Sequence, residues 1–228
     1  MQLLKHTAQI GESAAICMIA ERLVNISRLS ESLIIQNTTF TDFGFLKNLE
    51  VIDQYIEETE SRANLIITKN LKLKSLGFSV KTNGITIDIS ENPKLCISPQ
   101  EIVKLTDDKQ AADKIFDVTI CEDMEMPIGY CIIPKSGLLK DLPEYCLYIF
   151  GDLIIDENFN FQNSYKLAGV VKIFGSLQIK NTKLRTGSIF PTLFTIYAIK
   201  HDHPALEISN NKYLSDMFDV RLISQVYR

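Results

Sequence analysis

Few side chains in this sequence have the spacing that chemistry requires. Five cysteines, Cys17, Cys96, Cys121, Cys131 and Cys146, leave one over if the rest are paired. Reduced thiols and oxidised pairs both fit that count, because cysteine density is far below that of a disulfide-dense small scaffold. Asn25-Ile26-Ser27 and Asn37-Thr38-Thr39 have the acceptor spacing for N-glycosylation, a triplet that an Asn-rich chain also produces by chance. His201-Asp202-His203 sets two imidazoles one residue apart without further ligands, so a solvated turn before Pro204 accounts for it better than a metal site. Glu122-Asp123-Met124-Glu125 lacks the alternating oxygen ligands of a calcium loop and reads as a charged linker. A phosphate-cradling Gly-rich loop, a G-x-S-x-G elbow, an H-E-x-x-H pair and a kinase signature are all missing, and no carboxylate is placed by sequence opposite a second. The expectation is recognition rather than catalysis, with no enzyme activity, metal or cofactor.

Bulk properties narrow the class of partner. At 228 residues and 46% hydrophobic content, the chain has room for one large domain or two small ones, each with a buried core. A net charge of −4, from 24 basic and 28 acidic residues without a basic run, argues against nucleic acid. No apolar stretch approaches the roughly 18 to 20 residues that cross a bilayer. Ala14-Ala15-Ile16-Cys17-Met18-Ile19-Ala20 is too short, and too closely flanked by Glu12 and by Glu21-Arg22, to read as a signal peptide.

The elements that must position any site emerge from a repeat. Leu33-Ile34-Ile35, Leu65-Ile66-Ile67, Ile87-Asp88-Ile89, Leu153-Ile154-Ile155, Leu177-Gln178-Ile179 and Leu206-Glu207-Ile208 share one template. Isoleucine stands two residues after the first apolar position. Thr38, Asn70, Asn92, Asn158, Thr182 and Asn211 stand five after it. Starts within each half lie 32 and 22, then 24 and 29 residues apart, the range of stacked repeats. Each repeat supplies a short strand whose alternate residues point inward and stack on the next, since one copy cannot bury its face alone. The Asn or Thr after each strand suits the bend that follows: Asn tolerates the left-handed conformation, and its amide can satisfy turn backbone groups.

Between the third and fourth strands the period breaks. Ser98-Pro99-Gln100-Glu101 has an N-cap, a proline at the first helical position and a capping-box glutamate, and so predicts a helix start. The stretch from Cys121 to Pro143 is rich in acids, Gly and Pro, which puts a domain boundary near 122–130. Alternation turns Ser32, Ile34 and Gln36, then Asn64, Ile66 and Thr68, then Thr86, Asp88 and Ser90 outward on the strand ladder, as candidate binding residues. Outward Ile34 and Ile66 on adjacent strands form an apolar spot with polar neighbours, suited to a protein or peptide.

These residues resemble the receptor L domain, the repeat of the insulin-receptor and epidermal-growth-factor-receptor ectodomains that many nematode secreted and single-span proteins also carry. Cys146-Leu147-Tyr148-Ile149-Phe150-Gly151-Asp152-Leu153-Ile154-Ile155 resembles the family's opening C-x-x-I-x-G-x-L-x-I coil. Val170 to Thr182 resembles its second coil and Ala205 to Leu214 its third. In the first half, Ser32 to Val51, Asn64 to Leu73 and Thr86 to Cys96 resemble the second, third and closing coils.

The resemblance implies a mainly β chain with short helices, built as two tandem right-handed β-helix, leucine-rich-repeat-like L domains. Residues 1–26 stay unassigned, 27–121 form a first domain without its opening coil, 122–130 a linker, and 131–228 a second domain without its closing coil. No membrane span is expected in this chain, and whether an anchor lies outside it stays open. The resemblance also implies disulfides Cys96–Cys121 and Cys131–Cys146, leaving Cys17 over, and an extracellular or cell-surface location. The expected partner is a peptide hormone of the insulin or growth-factor type or a receptor ectodomain, bound without signalling activity of the chain's own. Pairing with another L-domain protein is the alternative.

Overall fold

The computed structural model describes residues 8–10, 22–53, 64–107, 114–121, 124–134, 139–186, 189–200, 204–215 and 225–227. Cys17, His201, Asp202, His203, Glu122 and Asp123 lie outside them. The chain divides into two compact units, Met1–Cys121 and Glu122–Arg228.

In the first unit the strands are β1 (Ala8–Ile10), β2 (Arg28–Leu29), β3 (Leu33–Gln36), β4 (Val51–Asp53), β5 (Asn64–Thr68), β6 (Lys81–Asn83), β7 (Thr86–Ser90), β8 (Cys96–Ile97), β9 (Lys114–Phe116) and β10 (Thr119–Ile120). Strands β1-β3-β5-β7-β9 form one parallel sheet, β2-β4-β6 a second, and β8 and β10 a parallel pair. Strands adjacent in a sheet are thus not consecutive in the chain, and each repeat must leave one sheet, run through another and return. The template aligns in register: Leu33 pairs with Leu65 and Leu65 with Ile87, while Ile35 pairs with Ile67 and Ile67 with Ile89. All six side chains are buried. Each contributes roughly 1.5 to 3 kcal/mol of transfer free energy, and a period-2 pattern delivers that only in this register.

The pairing extends beyond the aligned repeats at both sides. Ala8–Ile10, in the stretch that the sequence leaves unassigned, pairs with β3 at Ala8 to Leu33. At the other edge β9 pairs with β7, where Lys114 takes the place of an apolar residue opposite Ile87 and is buried. Helix α1 (Pro99–Leu105) begins as the sequence predicts. Ser98 Oγ accepts from the Glu101 backbone N–H at 3.2 Å, and the Ser98 N–H donates to Glu101 Oε2 at 2.8 Å.

In the second unit the strands are β11 (Tyr130–Ile132), β12 (Tyr148–Phe150), β13 (Leu153–Ile155), β14 (Lys172–Phe174), β15 (Leu177–Lys180), β16 (Thr195–Tyr197), β17 (Leu206–Ser209) and β18 (Gln225–Tyr227). They form two parallel sheets, β11-β12-β14-β16-β18 and β13-β15-β17. Leu153, Leu177 and Leu206 pair in series, again as the template aligns them. Ile149, Leu153, Ile155, Ile173, Leu177, Ile179, Leu193 and Ile196, drawn from both sheets and the segments beside them, form one buried core.

One expectation about the bends needs correcting. The left-handed non-glycine residues among those described are Asn37, Lys69 and Glu91 in the first unit and Asn181 and Asn210 in the second, with φ between 54° and 60°. Each stands one position before the Thr or Asn of the template, which is not itself left-handed, while the Asn amides do satisfy backbone groups as expected. Thr38 donates from its N–H and its hydroxyl to Asn70 Oδ1, at 3.0 and 2.7 Å. Asn70 passes the pattern on, its N–H reaching Asn92 Oδ1 at 3.0 Å, while its Nδ2 donates to the carbonyls of Ile35 and Thr68 at 3.1 Å each. Asn92 does the same to Ile67 and Ser90 at 2.8 Å each. These side chains are therefore inside, where they satisfy carbonyls that the turning strands leave without partners. The residue before them takes the turn. Asn158 does not join such a ladder: it is exposed, and its N–H donates to Asp156 Oδ1 at 2.8 Å.

Candidate functional site

The outward side of the β1-β3-β5-β7-β9 sheet carries the candidate residues. Parallel register sets Ile34, Ile66, Asp88 and Ile115 side by side across four strands. The first three are half-buried and Ile115 is 37% exposed. A second row holds Gln36, Thr68 and Ser90, and Asn64 and Thr86 pair at the strand starts. Ser32 lies just ahead of β3, where its hydroxyl accepts from the Asn64 N–H at 2.9 Å.

Two contacts order the polar row. Gln36 Nε2 donates to Thr68 Oγ1 at 2.9 Å, and Ser90 Oγ donates to Asp88 Oδ1 at 2.6 Å. The first corrects an expectation. Thr68 is only 5% exposed, not solvent-facing, because the longer Gln36 side chain reaches across to it on the neighbouring strand. Ile115 is the residue that sequence reasoning missed. Its strand, Lys114-Ile115-Phe116, breaks the template with a lysine at the first inward position, and only the pairing to β7 reveals it.

The arrangement presents an apolar strip of Ile34, Ile66 and Ile115 with one carboxylate, Asp88, set within it and hydroxyls and amides beside it. Such a surface can exclude water from an apolar side chain and orient a hydrogen-bond donor, which are the demands of protein or peptide recognition. Among the described residues its single carboxylate faces no second one across the strip, and no nucleophile–base pair stands there. Among the described residues no group of three His, Cys, Asp or Glu side chains could hold a metal ion.

Two disulfides brace the units. Cys96–Cys121 ties β8 to the end of β10, with Cα atoms 5.1 Å apart. Cys131–Cys146 ties β11 to the approach of β12, with Cα atoms 5.7 Å apart. Asn25 is exposed at the turn before β2, and Asn37 is exposed at the corner after β3. No helix among the described residues is long and apolar enough to cross a membrane.

A second surface was not anticipated. In the second unit Tyr145 is 79%, Leu147 46% and Tyr165 54% exposed. The three line one shallow depression of about 290 Å³ with Glu144, Cys146 and Gly169. Leu147 lies in the segment that resembles the opening coil and Tyr145 just ahead of it, yet their exposure depends on how the neighbouring repeat returns.

No solved structure matches the chain. A curated protein of Caenorhabditis elegans, Protein irld-34, is 25% identical over 231 residues, which covers 92% of this chain and 56% of that protein. The chain therefore spans little more than half the length of this relative. The family model for the receptor L domain matches residues 9–107 and 145–225, most of the sequence. Its first match begins within β1 and its second ends at β18, while β9, β10 and β11 lie in the stretch between the two matches; with well over half of its residues matched, the chain belongs to the receptor L domain family.

Proposed function

We propose that the chain is an extracellular binding module, made of two tandem right-handed β-solenoid L domains, that captures a peptide hormone or a partner ectodomain on the outward face of β3, β5, β7 and β9. The domains span 27–121, with β1 added ahead of them, and 131–228, joined through 122–130. Parallel strands returning to the same sheet cross over right-handedly in nearly all proteins, which supports the handedness. Two disulfides in a family of receptor ectodomains support an oxidising compartment. No catalytic or signalling role is assigned to the chain.

The observation that carries this reading is the strip Ile34, Ile66 and Ile115 around Asp88, left partly in water on a sheet whose other face is buried along β3, β5, β7 and β9. Pull-down from extracellular fluid with the wild-type chain and with Ile66→Arg as baits tests it. Peptides held by the wild type and lost by the variant support capture on this face. Recovery of large ectodomains alone, equally by both baits, sinks peptide capture there.

One observation favours a second reading, pairing with another L-domain protein. The exposed Tyr145 and Tyr165 around Leu147 are residue types enriched in protein interfaces. Tyr145→Ser with Tyr165→Ser would then abolish a sedimenting complex that Ile66→Arg leaves intact.

A further inference from the structure

We infer that Asn37 is an N-glycosylation site whose glycan stands at the Gln36 end of the candidate binding face. The inference rests on the extracellular reading above and adds a modified atom to it. Asn37-Thr38-Thr39 is an acceptor triplet, and the fold divides it between inside and outside. Thr38 is 4% exposed, and both its N–H and its hydroxyl are bonded to Asn70 Oδ1. Asn37 and Thr39 on either side of it are exposed.

The corner that produces this division is firm. Asn37 has φ of 54°, and its N–H donates to the Thr68 carbonyl at 3.3 Å. A residue at that φ, followed by a buried Thr, leaves the sheet with its side chain in water. A glycan attached before folding is carried outside the core as the repeat closes, so the modification and the native fold are compatible. The same turn recurs at Lys69 and Glu91 on the next strands, neither of them an acceptor. One glycan at the β3 end leaves the β7 and β9 end of the face open, which is where Asp88 and Ile115 lie.

The chemistry closes without a redox partner. The Asn37 Nδ2 attacks the anomeric carbon of the first N-acetylglucosamine on a lipid-diphosphate-linked oligosaccharide. A carbon–nitrogen bond forms and the carbon–oxygen bond to the diphosphate breaks. The lipid diphosphate leaves with the electron pair, and the amide loses one proton to a basic group of the transferase. Thr39 supplies the hydroxyl by which the acceptor triplet is recognised.

The test uses the full chain, expressed behind a secretion signal in a eukaryotic host. Intact mass is measured before and after peptide N-glycosidase, and the site is mapped by digestion in heavy-oxygen water. We expect the Asn37 peptide of the wild type to carry one glycan and to incorporate the label on its release. Asn37→Gln and Thr39→Ala should each lose that glycan, and Thr39→Ser should retain it. Secreted wild-type protein with both disulfides closed and a bare Asn37 overturns the inference alone. A chain held in the cell with reduced cysteines overturns it together with the extracellular reading.

Discussion

Strands stack in parallel in both units, but the residues that seal the corners differ. In the first unit the seal is polar: Thr38, Asn70 and Asn92 form a hydrogen-bonded ladder, with Asn70 wholly buried. In the second unit only Thr182 and Asn211 keep this pattern, the Thr182 N–H and hydroxyl donating to Asn211 Oδ1 at 2.9 and 2.8 Å. There the corresponding work falls to rings on the other sheet. Phe150 stacks on Phe174 with centroids 5.1 Å apart, and Phe174 on Tyr197 at 5.5 Å, with planes within 8° of parallel. Phe174 stands three residues before Leu177, whereas Ser30 occupies the same offset before Leu33 in the first unit.

The two solutions make different demands. An amide ladder is directional: every member fills acceptors and donors of the next, so removing one orphans several buried groups. Stacked rings accept small slips, and they add about 0.5 to 1.5 kcal/mol per pair beyond their burial. They need close backbone approach beside them. Gly151 donates its N–H to the Phe174 carbonyl at 2.9 Å and Gly175 to that of Tyr197 at 2.8 Å. Gly175 has φ of 152°, and a Cβ there would lie 2.2 Å from the Gly151 carbonyl oxygen.

The largest effect expected from breaking this contrast is at that glycine. Gly175→Ala combines overpacking with left-handed strain and should destabilise the second unit by about 4 kcal/mol. Amide exchange followed by mass spectrometry would place the loss in β12, β14 and β16; unchanged protection there refutes the role given to the corner. Phe174→Ala removes the central ring of the stack and should cost about 3 to 4 kcal/mol in urea unfolding. Loss of less than about 1 kcal/mol would mean that the rings are not the seal.

On the polar side, Asn70→Ala should cost about 3 kcal/mol, because the carbonyls of Ile35 and Thr68 lose a buried donor and Thr38 its acceptor. Asn158→Ala, at the template position outside any ladder, should change stability by under about 0.5 kcal/mol. Equal effects of the two substitutions would erase the distinction between them. The smallest change belongs to Lys180→Ala. Its ion pair with Glu207 at 2.8 Å joins side chains that are 32% and 35% exposed, so solvent and salt leave only a few tenths of a kcal/mol. A titration of stability against salt should then be nearly flat in both proteins.

Much of this architecture was legible because its signals are local. The L-x-I runs with Thr or Asn five residues on carry the inward alternation and the pairing of Leu33 with Leu65 and of Leu153 with Leu177. Ser98, Pro99 and Glu101 announce α1 within four residues. The strand of Ile115 was hidden because Lys114 replaces the apolar residue the template expects, and a buried lysine is tolerated only through contacts that a pattern cannot display. The exposure of Tyr145 and Tyr165 was equally invisible, since strand period alone does not say whether a neighbouring repeat covers a side chain.

By itself, then, the sequence determined the repeating unit, its inward side, the start of its helix and the outward places of Ile34, Ile66 and Asp88. Those follow from side-chain alternation and from caps, which act over a few residues. Tertiary structure alone decided that the template Asn residues are buried ladder members with the left-handed residue one position earlier, that Thr68 is covered by Gln36, and that Phe150, Phe174 and Tyr197 stack. Each of those outcomes joins residues 22 to 32 positions apart, and hydrogen bonds and ring contacts over such separations exist only once the repeats are laid against one another.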